Sequence, residues 1–173
     1  MNGGQKLQLK DLSVMKQVCL TCNENFTAHS FNYVCDTLEM GQFFYTKISN
    51  ASKYDDTEGI VKHCANYLTY KNPAKWTWII DFAEFGLKHS LGLNTGIQLS
   101  KLINRFGRLH QLIAINSNTF VEQMLKMVKL TLKKEYHKCI NIISKNDVFY
   151  QEFEKWTYLD EHKNLLTQLI VEH

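Results

Sequence analysis

The sequence predicts an α/β fold built on a mostly parallel sheet with crossover helices. Two observations carry that prediction. Between residues 76 and 143, three short apolar runs, WTWII, LIAI and CINII, alternate with long stretches of helical periodicity. Strands separated by helices require crossover connections, which bring successive strands into parallel register. The second observation is composition. Of 173 residues, 45% are hydrophobic and 21% charged, with one Pro and eight Gly, which suits a globular domain without long linkers or repeats.

The elements follow in order. Residues 1–40 read as a short helical N-terminal segment, and residues 41–173 as a single domain. Leu9, Leu12, Met15 and Cys19 have helical spacing behind Asp11, and residues 30–40 (SFNYVCDTLEM) form a second short helical candidate. Residues 42–48 (QFFYTKI) alternate and are rich in aromatics, as a strand requires. Thr57, Glu58 and Gly59 open a helix with Ile60, Val61, Cys64 and Leu68 on its apolar stripe, which Asn72-Pro73 ends. A strand at 76–82, a helix at 97–106 with Ile97, Lys101, Leu102 and Phe106 in register, and a strand at 109–115 come next. A helix at 120–135 and a strand at 138–143 complete the alternation. The tail at 147–173 returns to helical spacing, with Val148, Phe149, Phe153 and Trp156, then Leu165, Leu166, Leu169 and Ile170.

Composition also excludes several functions. A net charge of +3 is too mild for a dedicated nucleic-acid binder, yet suffices for an anionic membrane surface if the charges cluster. No apolar run reaches the roughly 20 residues of a transmembrane helix. The N-terminal MNGGQKLQLKD has neither the apolar core of a signal peptide nor the Gly at position 2 needed for myristoylation. Five cysteines without a secretory signal read as free thiols in a reducing compartment. The expected location is cytoplasmic, at a membrane face, and the expected state is a monomer.

Three constellations bear chemistry. In the helix at 120–135, Glu122, Lys126, Lys129 and Lys133 share one face at 100° per residue, while Phe120, Met124, Met127, Val128 and Thr131 share another. In the strand at 76–82, Trp76, Trp78 and Ile80 point to one side, and Thr77, Ile79 and Asp81 to the other. Paired indoles suit a core or cavity lining in which each N–H finds a partner, and Asp81 is placed to cap the following turn. Cys19-x2-Cys22 with His29 and Cys35 gives four possible zinc ligands, but at a spacing of no common knuckle or finger. His63-Cys64 and His137-x-Cys139 carry less. Neither a resident metal nor another cofactor is therefore expected. Gly86, Gly92 and Gly96 form no phosphate-binding loop.

Taken together, the motifs W-T-W-I-I-D-F at 76–82, R-F-G-R-L at 105–109 and I-A-I-N-S-N at 113–118 resemble the CRAL-TRIO lipid-binding domain in order and spacing, as does the helix leading into C-I-N-I-I. The likeness spans about residues 42–143. It implies a lipid cavity floored by the sheet and gated by the helix at 120–135. Arg108 matches the family's turn arginine, its glutamate falls on Gly107, and its last-strand lysine falls on Cys139, one place after Lys138. On this likeness one phospholipid lies with its acyl chains against Trp78, Ile80, Phe82, Met124 and Met127. Trp76, Phe120 and Val128 complete the lining, with Arg108 and Lys138 near the headgroup. Lys126, Lys129 and Lys133 dock the gate on an anionic membrane. The implied function is non-enzymatic binding and transfer of a phospholipid such as phosphatidylinositol. Two alternatives make different demands. A STAS-like interaction module, suggested by Leu93-Asn94-Thr95-Gly96, requires a filled core. A haem pocket would use Tyr45, His89 or His110. The lipid reading requires an apolar cavity of several hundred Å³.

Overall fold

The computed structural model describes residues 18–144, apart from 39, 87 and 89–91. Leu9, Leu12 and Met15 and the expected tail helices at 147–173 lie outside the described residues. A short helix α1 (Leu20–Glu24) leads to β1 (Asn32–Thr37) and β2 (Gly41–Lys47). Then come α2 (Thr57–Lys71), β3 (Trp76–Asp81), α3 (Gly92–Phe106), β4 (Leu109–Ser117), α4 (Thr119–Thr131) and β5 (Ile140–Ser144). The five strands lie in chain order, β1-β2-β3-β4-β5. β1 is antiparallel to β2, and every later pair is parallel. The α/β, mostly parallel architecture is as the alternation of patterns predicts.

The largest departure is within residues 30–40, where Asn32–Thr37 forms β1 and not a helix. Short apolar runs are ambiguous by period alone. Here the β2 edge decides, because it offers Tyr33, Cys35 and Thr37 backbone partners at Phe44, Phe43 and Gly41. The β1–β2 hairpin therefore crosses the boundary expected after residue 40. Gly41 makes the hairpin possible: φ is +76°, and a Cβ there would lie 2.1 Å from the Lys75 carbonyl oxygen.

α2 follows its sequence signals. The Asp56 side chain accepts from Gly59 N–H at its start, and Asn72 ends it in the left-handed region (φ 42°) just before Pro73. α3 begins at Gly92, earlier than its periodicity suggests, and buries Thr95, Ser100, Leu102 and Ile103 while Lys101 is exposed. α4 stops at Thr131, short of the expected 135, because its end is capped from α3. Asn104 Nδ2 donates to Thr131 O at 2.8 Å, and Asn104 Oδ1 accepts from Lys133 N–H at 2.9 Å. Leu132 turns extended, and Lys134–Cys139 forms a 3-10 helix. Lys133 and Lys138 thus lie outside α4 and β5 respectively.

Right-handed crossovers between strands laid down in one direction place their helices on one face of the sheet. The buried clusters divide accordingly. Phe44, Trp76, Trp78, Ile80, Leu112 and Ala114 join the helices in one core, whereas Phe43, Tyr45, Ile79, Ile113 and Ile115 form a second on the opposite face. Rings pack the first at specific angles: Phe31 stacks on Phe44 at 4.8 Å, and Trp78 meets Phe31 edge-on at 5.2 Å.

Asp81 holds the carboxyl end of β3. It is 1% exposed, accepts Tyr45 O–H at 2.8 Å on one oxygen, and on the other accepts Ala83 N–H and Asn116 Nδ2 at 2.8 Å each. Asn116 reaches it from a residue at φ 53°, where the β4 register shifts. These three bonds make Asp81 a structural cap. Asp81→Ala strands one buried donor, Tyr45 O–H, and two part-buried ones, and should cost about 3 kcal/mol, at roughly 1–3 kcal/mol for a buried unsatisfied group and less for the other two. Asp81→Asn, which keeps an acceptor, should cost only about 1 kcal/mol. Urea unfolding of the two variants checks this, and equal losses would contradict it.

Candidate functional site

Between the sheet and α2, α3 and α4 lies an apolar cavity of about 110 Å³. Its floor follows from strand register. Trp78, Leu112 and Ile140 are adjacent across β3, β4 and β5, and all three line the cavity. Cys64 from α2, Leu99 and Ile103 from α3, and Leu125 and Val128 from α4 form the walls. Gly96 lets α3 and α4 approach closely, since a Cβ there would meet Val128 Cγ2 at 2.8 Å.

The polar groups at the cavity are largely consumed by one another. Trp78 Nε1 donates to Thr46 Oγ1 at 2.9 Å, Thr57 and Thr95 hydroxyls bond at 2.7 Å, and the Ser100 hydroxyl bonds that of Thr131. No charged side chain occurs among the described lining residues. Burial pushes the Cys64 thiol well above its usual range, so it is no nucleophile at neutral pH. What remains is a surface that recognises hydrocarbon.

Of the residues expected at the site, Trp78, Ile80, Phe82, Met124 and Val128 line the cavity. Trp76 does not. It is buried beside Trp78 on the same face of the sheet, at the start of β3, with Nε1 donating to Gly107 O at 2.8 Å and its ring against Phe44 and Phe106. Phe120 and Met127 are 46% and 48% exposed and turn away from the cavity. The helix is rotated so that Val121 and Leu125, with Met124 and Val128, face inward. Leu125 and Leu132 are lining residues that the helical-face analysis did not single out, although the apolar spacing from Val121 to Leu132 contains them.

The two expected headgroup cations also lie elsewhere. Arg108 is exposed at φ 62°, and its Nη1 donates to Asn72 Oδ1 at 3.0 Å and Pro73 O at 3.1 Å, clamping the end of α2. Lys138 is exposed in the 3-10 turn. Lys126 and Lys133 are exposed and Lys129 is half-buried. Tyr45 belongs to the opposite face of the sheet and His110 is not a lining residue, so neither offers a haem ligand inside the cavity, and His89 lies outside the described residues. The cavity is smaller than the several hundred Å³ expected, yet it departs from the filled core of a STAS-like module.

A second cluster lies at the N-terminal end of the described chain. Cys19, Cys22 and His29 come together as their spacing allows, but the fourth member is His63 of α2 and not Cys35, which is buried on the opposite face of the sheet. Nothing in the spacing marks His63, because only the docking of α2 against α1 brings it there.

A family model described as the CRAL/TRIO domain matches residues 35–161. The crystal structure of Sfh5 is similar with a TM-score of 0.54 and 10% identity, covering 87% of this chain and 66% of that one. The chain thus spans just under two thirds of that protein, and the likeness is one of fold. A search of curated proteins gives no match. With the family model covering most of the sequence, and a helix-walled apolar cavity on a parallel sheet, the chain belongs to the CRAL/TRIO domain family.

Proposed function

We propose that this protein is a non-enzymatic carrier that takes up a phospholipid such as phosphatidylinositol and moves it between membranes, as a monomer at the cytoplasmic surface. The uncharged cavity carries the proposal. Its lining suits acyl chains, at about 0.8 kcal/mol for each buried CH₂, and leaves a charged headgroup at the mouth. Among the described residues no helix is long and apolar enough to cross a membrane, and the contact proposed with the bilayer is a peripheral one.

Two acyl chains need more room than about 110 Å³. Loading therefore requires one wall to move, and α4 is suited to do so. Extended residues bound it at each end, Asn118 and Leu132. Its outward surface also favours a bilayer. Phe120, Met127 and Leu130, the last 80% exposed, form an apolar strip near Lys126 and Lys129, with Lys133 just beyond the end of the helix. Each lysine near an anionic leaflet contributes about 1 kcal/mol, so the three give reversible docking. The present volume supports a second reading, a smaller neutral hydrophobe. An engineered apolar cavity of about 150 Å³ already accepts benzene.

Native mass spectrometry of the purified protein should detect one bound apolar ligand per chain, and the mass of the extracted ligand separates the two readings. Filling the cavity with Leu99→Trp should eliminate that ligand. A protein that neither co-purifies nor loads any apolar molecule from liposomes would end the carrier proposal.

Reversing Lys126, Lys129 and Lys133 together to Glu should reduce transfer between anionic liposomes at least tenfold while leaving bound ligand in place. Added salt should slow transfer by the unmodified protein, because exposed charges are screened over about 8 Å at physiological ionic strength. Normal transfer by the reversed variant would exclude docking through these lysines.

A further inference from the structure

We propose that Cys19, Cys22, His29 and His63 form a closed tetrahedral zinc site that pins the N-terminal segment to α2. Their ligand atoms all lie within 4.8 Å of one another. His29 Nδ1 is 3.5 Å from Cys19 Sγ and 3.6 Å from Cys22 Sγ, and His63 Nδ1 is 3.6 Å from Cys22 Sγ. Zinc bonds of about 2.3 Å to sulfur and 2.0–2.1 Å to nitrogen, at tetrahedral angles, put neighbouring S and N atoms about 3.6 Å apart. Three of the six edges of such a tetrahedron are thus already at that length, and a small side-chain adjustment closes the rest.

The outer nitrogens make the same point. His29 Nε2 faces Asp56 Oδ2 at 3.3 Å, and His63 Nε2 faces Phe31 O at 3.1 Å. Both partners are acceptors, so each ring keeps a proton on Nε2 and turns the Nδ1 lone pair toward the sulfurs. Metal-bound histidines are oriented by this kind of outer hydrogen bond. Without a metal, Cys22 has one thiol proton for two converging lone pairs. Cys19 caps α1, and its Sγ accepts from Cys22 N–H at 3.4 Å, which fixes the position of that sulfur. Two thiolates and two neutral imidazoles balance a divalent cation, so burial leaves no net charge uncompensated.

Two thiolates and two imidazoles in tetrahedral array select zinc among common metals. A span of 4.8 Å fits one ion and not a two-iron cluster. Four protein ligands leave no open position, which makes the site structural. The segment it holds needs such an anchor: α1 has only five residues, and Leu20 and Phe26 are 80% and 65% exposed. His63 precedes Cys64, a cavity wall residue, so the same ion also fixes the inner face of α2.

The full chain, purified without chelators, should contain one zinc per molecule by elemental analysis. Under reducing conditions, cobalt added to the stripped protein should give the visible bands of a tetrahedral ion and the near-ultraviolet charge transfer of thiolate ligation. Cys22→Ser and His63→Asn should lose the metal, and Cys35→Ser should retain it. Asp56→Asn keeps all four ligands and a competent helix cap, yet should weaken zinc binding 10–100-fold in competition with a chelator. If the ligand variants do not fold, the cobalt spectrum of the unmodified chain and the Asp56→Asn affinity decide. Absence of stoichiometric metal and of a tetrahedral cobalt spectrum, or zinc retained in soluble Cys22→Ser, or an unchanged affinity in Asp56→Asn, would overturn the site.

Discussion

Four strands running parallel in chain order leave each connecting helix only one side on which to lie. A right-handed crossover that always steps the same way returns to the same face, so α2, α3 and α4 converge over the side chains of Phe44, Trp78, Ile80 and Leu112. Three helices on one sheet face do not fill it evenly. The gap they leave lies above Trp78 and Leu112 and is the cavity. Its apolar character has the same origin, because alternate residues of buried parallel strands face inward and the available donors and acceptors pair with one another.

α4 concentrates several physical demands on one helix. Val121, Leu125 and Val128 satisfy the core, Lys126 is exposed and Lys129 half-buried on the outer side, and Phe120, Met127 and Leu130 remain partly or largely exposed. An exposed apolar strip on a globular domain is often an interaction surface. It lies here on the element whose displacement would enlarge the cavity. Ligand entry and membrane contact are thereby joined mechanically in the proposed carrier.

The N-terminal cluster bears on the same cavity from the other side. α2 contributes Ile60 and Cys64 to its wall, while His63 turns outward between them to meet Cys19, Cys22 and His29. A rigid α2 opposite a movable α4 would give the cavity one fixed and one adjustable wall. Arg108 reinforces that asymmetry by bonding the carboxyl end of α2 through Asn72 and Pro73.

What the sequence determined by itself is everything that local chemistry enforces. Period-2 and period-3.6 patterns set the parallel strands and their helices, Asn72-Pro73 ended α2, and the parity of Trp76, Trp78 and Ile80 set which face they share. The resemblance to the family rested on the order of those same motifs. Tertiary structure decided what depends on partners distant in sequence. The β2 edge turned Asn32–Thr37 into a strand, and Asn104 shortened α4. The rotation of α4 exchanged Phe120 and Met127 for Val121 and Leu125 at its buried face. Arg108 was drawn to a helix end, and His63 took the place that spacing suggested for Cys35. In each case a short segment had two conformations or two orientations of similar local energy. A hydrogen bond or contact from another element chose between them, and periodicity contains no term for such a contact.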